Sequence, residues 1–453
     1  MPPAVLWFRR DLRLGDHPAL LAALDAAGPD GEVVPVFVFD ERLWRPSGDP
    51  RRRFLLDCLT DLRKRTDGAL VLRSGDPARL IPQLAAEVGA GSVHVSADAG
   101  PYGRQRDATV ERTLGAVPLV RTGSAYAVTP GRVTKGDGTP FKVFSPFARA
   151  WREHGWRAPA ARPDDVPWCT GVRSDDPPAT PPLDADLPPA GEAAALDAWE
   201  RFRDERLSGY DEARNVPGVD GTSRMSAYLK YGCIHPRTLL GDLAGHEGEA
   251  ARRYETELAW REFYADVLWH RPDSAREYLN PQLQGMGYDS GPDAEVLVSA
   301  WEHGRTGFPI VDAGMRQLLA EAYVHNRVRM IVASFLVKDL HQEWTRGARY
   351  FLQHLVDGDL ASNNHGWQWV AGTGTDASPY YRVFNPVTQG KKFDPDGAYV
   401  KRWVPELRAL DPKHVHEPWT APGGVPDGYP EPIVDHAHER LVSLERYDRV
   451  RRP

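Results

Sequence analysis

The sequence predicts an α/β domain followed by a helical domain, and three observations carry that expectation. Over the first 131 residues short apolar runs alternate with helical stretches; a Pro- and Asp-rich stretch follows that suits neither helix nor sheet; and beyond residue 194 long helical patterns dominate with few strand signals. With 453 residues and 41% apolar content, the chain can build two or three domains with sizeable cores.

In order along the chain, strands are expected from Ala4 and over Val33–Phe39, Ala69–Leu72 and Val93–Val95. Helices are expected between them over Pro18–Ala27, Arg51–Arg65 and Pro77–Val88. That alternation is the pattern of a parallel sheet flanked by helices, a doubly wound α/β domain over residues 1–131. Residues 132–193 read as an extended interdomain linker, clearest between Pro159 and Pro189, where Asp175-Asp176-Pro177-Pro178-Ala179-Thr180-Pro181-Pro182 cannot sustain helix or sheet. Such a segment is expected to wrap one domain and join the next. Residues 194–453 are expected to form an all-α bundle, and no internal repeat is evident.

Composition bounds the function. The net charge of −7 argues mildly against a nucleic-acid binder, because phosphates are contacted by clustered Lys and Arg. A mean can conceal a patch, and Arg327, Arg329, Lys338, Arg382, Lys391, Lys392, Lys401 and Arg402 fall near the motifs described next. Only three cysteines occur (Cys58, Cys169, Cys233), too few and too far apart for a disulfide framework or for a zinc or iron–sulfur site, so no metal is expected. The N-terminal apolar run is too short for a signal peptide and no window approaches a membrane span of about twenty residues; a cytoplasmic protein is expected.

Two adjoining motifs are the most informative. In His325-Asn326-Arg327-Val328-Arg329-Met330, an apolar helical repeat (Val324, Val328, Ile331, Phe335) puts Asn326, Arg329 and Met330 on one face. A polar stripe inside such a helix needs a partner. The second motif, Asp357-Gly358-Asp359-Leu360-Ala361-Ser362-Asn363-Asn364-His365-Gly366-Trp367-Gln368-Trp369, offers one: its carboxylates can satisfy an arginine, its amides (Asn363, Asn364, Gln368) can grip a polar heterocycle, and its tryptophans can stack on planar rings. A buried Asn is commonly a satisfied core amide and a Met a gap filler, so neither speaks alone. Gly221-Thr222-Ser223-Arg224-Met225-Ser226 ahead of Ala227-Tyr228-Leu229-Lys230 is either an ordinary helix cap or a phosphate site at a helix N-terminus. Glu257, Trp260 and Arg261 line one side of a helix, as a core anchor with a surface ion pair or as a surface that stacks on a nucleobase.

The stretch from Trp301 to Trp369 closely resembles the photolyase and cryptochrome family of blue-light flavoproteins, nearest to class I photolyases of cyclobutane pyrimidine dimers, and the match holds over nearly the whole chain. The resemblance implies FAD as cofactor, held by Tyr210, Arg214, the loop residues Thr222, Ser223, Arg224, Met225 and Ser226, and by Arg329, Asp357, Gly358, Asp359 and Asn363, with Asn363 close to the flavin N5. It implies DNA contacts from Glu257, Trp260, Arg261, Tyr264, Asn326, Arg327, Met330, Trp369 and Gln389. The Asn326 and Met330 pair resembles enzymes that act on cyclobutane dimers, whereas those acting on (6-4) photoproducts carry histidines there. Photolyases turn their target nucleotide out of the duplex, and the implied reaction is light-driven electron transfer from excited reduced FAD to the exposed dimer, with Glu257 at the lesion and no nucleophile or metal needed.

Trp344 and Trp367 match two members of the family's electron-relaying tryptophan chain. The outermost member is absent, and Tyr288 in Gly287-Tyr288-Asp289-Ser290 stands near its expected place. An antenna chromophore is implied for the first domain. Tyr102-Gly103 replaces the Asn-Glu of the folate type, while Asp98-Ala99-Gly100-Pro101-Tyr102-Gly103-Arg104 with Arg51 looks more like the deazaflavin type, although Gly100 stands where that type has a carboxylate. A cryptochrome photoreceptor is the alternative reading; such receptors usually add a long polar C-terminal extension, and this sequence runs only from Trp419 to Pro453. No obligate protein partner is indicated, and a monomer is expected.

Overall fold

The computed structural model describes residues 1–375 and 381–451. Five strands, β1 (Ala4–Phe8), β2 (Val33–Phe39), β3 (Val71–Ser74), β4 (Ser92–Ala97) and β5 (Leu119–Ser124), form one parallel sheet in the order β3-β2-β1-β4-β5. Every residue of β1 and β2 is buried, because helices cover both faces of the sheet, and this is why those strands read as unbroken apolar runs rather than as alternation. The helices Pro18–Ala27, Asp49–Arg65 and Pro77–Glu87 lie where the sequence places them. The strand expected over Ala69–Leu72 starts two residues later. The order reverses beside β1, so the crevice beyond the carboxyl ends of β1 and β4 is the point at which doubly wound sheets bind ligands.

The Pro-rich stretch is extended and follows the sheet. Trp168 bridges Val33, the Asp175 N–H donates to the Leu72 carbonyl, and the Leu72 N–H donates to Ser174 Oγ. The Trp168 bridge extends β2, and the Ser174 and Asp175 contacts cover β3, an edge strand that would otherwise present unpaired backbone groups. The stretch from 132 to 193 is not wholly extended, however. The helix Phe144–His154 lies within it, because Phe147, Ala148 and Trp151 recur at helical spacing and are fully buried.

Helices dominate the rest of the chain, and no further strand occurs among the described residues. The chain divides into two compact units interleaved in sequence. The first comprises Met1–Leu183, Pro188–Ser208 and Ser223–Pro272, the second Asp184–Leu187, Gly209–Thr222 and Asp273–Pro453. The core of the second is built on Trp301, Phe335, Trp344, Phe351 and Trp367. Among the described residues no helix is long and apolar enough to cross a membrane, and no cluster of three or more His, Cys, Asp or Glu could hold a metal ion.

Candidate functional site

In the second unit the helix Asn326–Ser334 starts where the His325 imidazole accepts from the Arg327 N–H. Val328, Ile331 and Val332 face the core. The expected polar stripe is corrected in two respects: Val324 precedes the helix, and Asn326, its first residue, is exposed rather than buried. Met330, one turn on, is half-buried. Arg327 does not reach outward freely. It donates to Asn215 Oδ1 at 2.7 Å, lies over the Phe393 ring at 4.4 Å, and meets Met330 Sδ at 3.7 Å.

Arg329 ties the two motifs together. Its Nε donates to the Val324 carbonyl at 2.7 Å and its Nη2 to Asp357 Oδ2 at 2.9 Å, with Tyr323 alongside. Burial opposes the guanidinium charge, but Asp357 and Tyr323 outweigh it and hold the Arg329 pKa above its ordinary value. Asp357 keeps a second oxygen in reserve. Its Oδ1 is buried with no hydrogen-bond partner, and a buried carboxylate oxygen calls for a donor. Gly358 beside it is buried.

Asp359 caps the helix Leu360–Ala371 by accepting from the Ser362 N–H. The amides of this helix divide their work in a way that spacing does not reveal. Asn364 donates to the Ala275 carbonyl at 2.6 Å; Gln368 donates to the Ser274 and Glu277 carbonyls and accepts from the Leu279 N–H. His365 is held neutral, its pKa brought down to about 4 chiefly by burial. Its Nδ1–H therefore donates to the Ala361 carbonyl, and its Nε2 accepts from Ser274 Oγ. These three side chains fasten the Ser274–Leu279 segment rather than facing a heterocycle, which corrects the expectation for Asn364 and Gln368. Asn363 differs: its Nδ2 donates to the Ala348 carbonyl and to Asn364 Oδ1, which leaves its carbonyl oxygen as an acceptor.

Trp367 lies so close to Gly347 that a Cβ there would meet its ring at 2.1 Å; only glycine fits. Trp367 also packs edge-on to Trp301 and Phe351. Trp344 is fully buried, its indole Nε1 has no partner, and its ring meets Tyr278 at 6.1 Å. Tyr278 in turn hydrogen-bonds Tyr288 and Glu343. The sequence points to Tyr288 but not to Tyr278 or Glu343, since no local pattern marks a contact between Trp344 and a residue 66 positions before it. Among the other expected contacts of this unit, Tyr210 is buried beneath the Arg214 guanidinium, Thr222 and Gln389 are half-buried, and half-buried Trp369 has Arg382 over its ring at 5.5 Å.

The first unit holds Ser223, Arg224, Met225 and Ser226, so the division between units falls inside the predicted loop. Arg224 adopts a left-handed backbone (φ 52°), Ser223 Oγ accepts from the Met225 N–H and bonds the Tyr254 hydroxyl, Met225 is buried, and Ser226 opens a helix of only six residues. On the helix Glu249–His270, the Trp260 ring stacks on Phe144 at 3.6 Å and 6°, with Tyr264 beside it and half-buried Glu257 one turn before. Arg261 donates to the Ala125 and Leu229 carbonyls and lies over Tyr126. Glu262 accepts from the Ala127 and Val128 N–H groups and from Trp151 Nε1, and burial pushes its pKa up to about 7. At the switch point of the sheet, a small cleft is lined by Arg9, Arg10, Asp98, Ala99, Ala125 and Tyr126.

An acceptor without a donor beside an arginine-anchored carboxylate suits a ring edge that presents N–H groups, as a flavin does. Similarity to known proteins points the same way. Residues 254–449 match the family model described as the FAD binding domain of DNA photolyase, and residues 4–164 match the model described as DNA photolyase. A deoxyribodipyrimidine photo-lyase of Halobacterium salinarum is 38% identical, over 99% of this chain and 99% of the relative. A bacterial class III photolyase from Agrobacterium tumefaciens superposes with a TM-score of 0.94 at 37% identity, covering 100% of this chain and 98% of that one. An archaeal photolyase from Sulfolobus tokodaii, its structure described as having two FAD molecules, gives 0.86 at 28% identity over 99% of this chain and 100% of that one.

Proposed function

The chain belongs to the DNA photolyase family, and on that premise we propose that it is a deoxyribodipyrimidine photo-lyase, an FAD enzyme that splits cyclobutane pyrimidine dimers in DNA under light. The helix Asn326–Ser334 carries the reading. One of its residues, Arg329, anchors the buried carboxylate of Asp357, while Asn326 stands exposed with Met330 a turn behind.

Bound FAD supplies the light-driven electron. The chain does the rest by binding and orientation. Asp357 Oδ1 would accept an N–H of the flavin edge, and the Asn363 carbonyl oxygen is free to accept from a flavin N–H. In the second unit Tyr210, Arg214, Thr222, Gly358 and Asp359 would also hold the cofactor, and Ser223, Arg224, Met225 and Ser226 are proposed as further FAD residues on the strength of the resemblance. For the DNA, in the second unit Asn326 would offer a polar edge and Trp369 a stacking face, with Arg327, Met330 and Gln389 as further contacts, and in the first unit Glu257 and Tyr264 would contribute; the resemblance adds Trp260 and Arg261, which Phe144 and two backbone carbonyls already occupy. Trp367 and Trp344 would relay electrons toward bound FAD. Residues 1–131 form the antenna domain, 132–193 the linker and 194–453 the FAD-binding part of a cytoplasmic monomer. An antenna of deazaflavin type is proposed for the first domain from the Asp98–Arg104 segment and Arg51; a second flavin, as in the Sulfolobus tokodaii relative, is the competing chromophore, and the absorption spectrum of the purified protein separates them.

The dimer assignment is tested by illuminating the reduced protein with blue light on DNA that carries either lesion. Cyclobutane dimers should be restored and (6-4) photoproducts left intact; restoration of only the latter overturns the assignment.

A further inference from the structure

We infer that Tyr278 is the electron donor to Trp344, that Glu343 takes the proton Tyr278 releases, and that Tyr288 supports this pair from behind. The inference rests on the reading of Trp367 and Trp344 as electron carriers and supplies the outer member that the tryptophan pattern lacks.

Geometry separates the two tyrosines. The Tyr278 ring meets Trp344 edge-on, 6.1 Å between centroids at 77°, whereas Tyr288 reaches Trp344 only through Tyr278, by a hydroxyl contact of 2.8 Å. Tyr278 is 6% exposed and Tyr288 is half-buried beside exposed Gly287 and Asp289, so the pair leads from the core to the surface. A carboxylate only accepts, so the Tyr278 hydroxyl donates to Glu343 Oε1 at 3.2 Å and receives Tyr288. Glu343 is held in place: it precedes the helix Trp344–His354, and its Oε2 accepts from Thr345 Oγ1 at 2.8 Å. The segment that carries Tyr278 is fastened by Asn364, His365 and Gln368, side chains of the helix that also carries Trp367.

Trp344 explains why a second donor is needed. Its Nε1–H is buried without an acceptor, so an oxidised Trp344 has nowhere local to shed its proton and stays a strongly oxidising radical cation. An electron from Tyr278 restores neutral Trp344. The Tyr278 O–H bond breaks, its proton passes to Glu343 Oε1, and a neutral tyrosyl radical and a protonated Glu343 remain. A thiol reductant in solution then returns one hydrogen atom to Tyr278, and Glu343 releases its proton to water. Burial first, then the Tyr288 hydroxyl and Glu343, raise the Tyr278 pKa, so the phenol carries its proton until oxidised and the transfer is coupled to proton movement.

The test uses the flavin-loaded protein with an external thiol, comparing Tyr278→Phe, Tyr288→Phe, Glu343→Gln and Trp344→Phe, with flavin content and melting temperature as controls on folding. Electron paramagnetic resonance of the illuminated parent should show a tyrosyl radical. Tyr278→Phe should remove that signal, leave a tryptophan radical and lower the photoreduction yield at least about tenfold. Glu343→Gln should slow tyrosyl formation and diminish its solvent-deuterium effect; Tyr288→Phe should act less. A tyrosyl signal and full yield in Tyr278→Phe would overturn the inference and move the exit elsewhere, as to Tyr350 beside Trp301. Trp344→Phe separates the two layers. If it blocks reduction while Tyr278→Phe does not, only the tyrosine step is wrong; if it reduces as fast as the parent, the tryptophan path fails and the tyrosine step with it.

Discussion

Two aromatic and charged regions look alike in the sequence and differ in what they leave unsatisfied. On the helix Glu249–His270, Trp260 is stacked on Phe144, Arg261 spends its donors on two carbonyls, and Glu262 accepts from two backbone N–H groups and an indole. Between Tyr323 and Trp369, by contrast, Asp357 Oδ1 is buried with no donor and Trp344 Nε1 is buried with no acceptor. Buried polar groups are nearly always paired, so an orphan with no opposite charge facing it is a candidate place for something else to bind or react. By this measure the Trp260–Glu262 segment is mainly scaffold and the second region is site; further along the first helix Asp266 Oδ2 and His270 Nε2 also lack hydrogen-bond partners, but they face each other at 3.8 Å.

The comparison is sharpened most by Asp357→Ala. It removes the orphan acceptor and leaves Arg329, whose side chain is 25% exposed, without its carboxylate. Breaking a fully buried pair costs roughly 3–5 kcal/mol, and the exposure of Arg329 lowers that figure. The protein should therefore fold but purify with little flavin, read from its visible absorbance. Full occupancy would remove Asp357 from the cofactor site and with it the argument from orphaned atoms.

Glu262→Gln probes the satisfied region. The folded carboxyl has a pKa raised from 4.5 to about 7, so the folded state holds the proton more tightly than the unfolded chain. Its contribution to stability is thus fully present below about 4.5 and is lost as pH rises through about 7. Over that window the parent should lose up to roughly 3 kcal/mol from this group. Glu262→Gln, which stays neutral, should flatten the slope. Denaturant melts between pH 4.5 and 7.5 check it, and an unchanged slope would mean that its three donors hold Glu262 ionised throughout.

Much of this is legible in the sequence, and the boundary has a physical origin. Periodicity places Val33–Phe39 and Pro18–Ala27 because burial on both faces of a sheet and on one face of a helix leaves a local signature. A pairing of Arg329 with Asp357 or Asp359 is also readable, since a buried guanidinium demands a carboxylate and the next motif offers two, of which the structure pairs Asp357. The helix Phe144–His154 is hidden in the surrounding linker because three turns with few buried residues barely rise above a Pro-rich background. Asn326 reads as buried because the first residue of a helix and one in its interior share the same spacing. The fastening of the Ser274–Leu279 segment by Asn364, His365 and Gln368 spans about ninety residues, and nothing local encodes it. Tyr278 is invisible to pattern reading for the same reason.

Arg261→Ala gives the smallest and most discriminating effect. The family resemblance makes Arg261 a DNA contact, whereas its geometry makes it a strut: Nη1 reaches the Ala125 carbonyl at 3.0 Å, Nη2 the Leu229 carbonyl at 3.2 Å, and the guanidinium lies 4.4 Å from the Tyr126 ring centre. Its side chain is only 13% exposed. If Arg261 binds a DNA phosphate, its removal should reduce the slope of log affinity against log salt by about one, uniformly across DNA sequences. If it is a strut, its removal should instead lower stability by about 1–3 kcal/mol, the range for charged hydrogen bonds, and leave the salt slope alone. The second pattern is expected, because two carbonyls and a ring already occupy the guanidinium. Were the slope to fall by one at unchanged melting temperature, satisfied hydrogen bonds would no longer separate scaffold from site on this helix, and Trp260, equally occupied by Phe144, would regain its place at the lesion on the same terms.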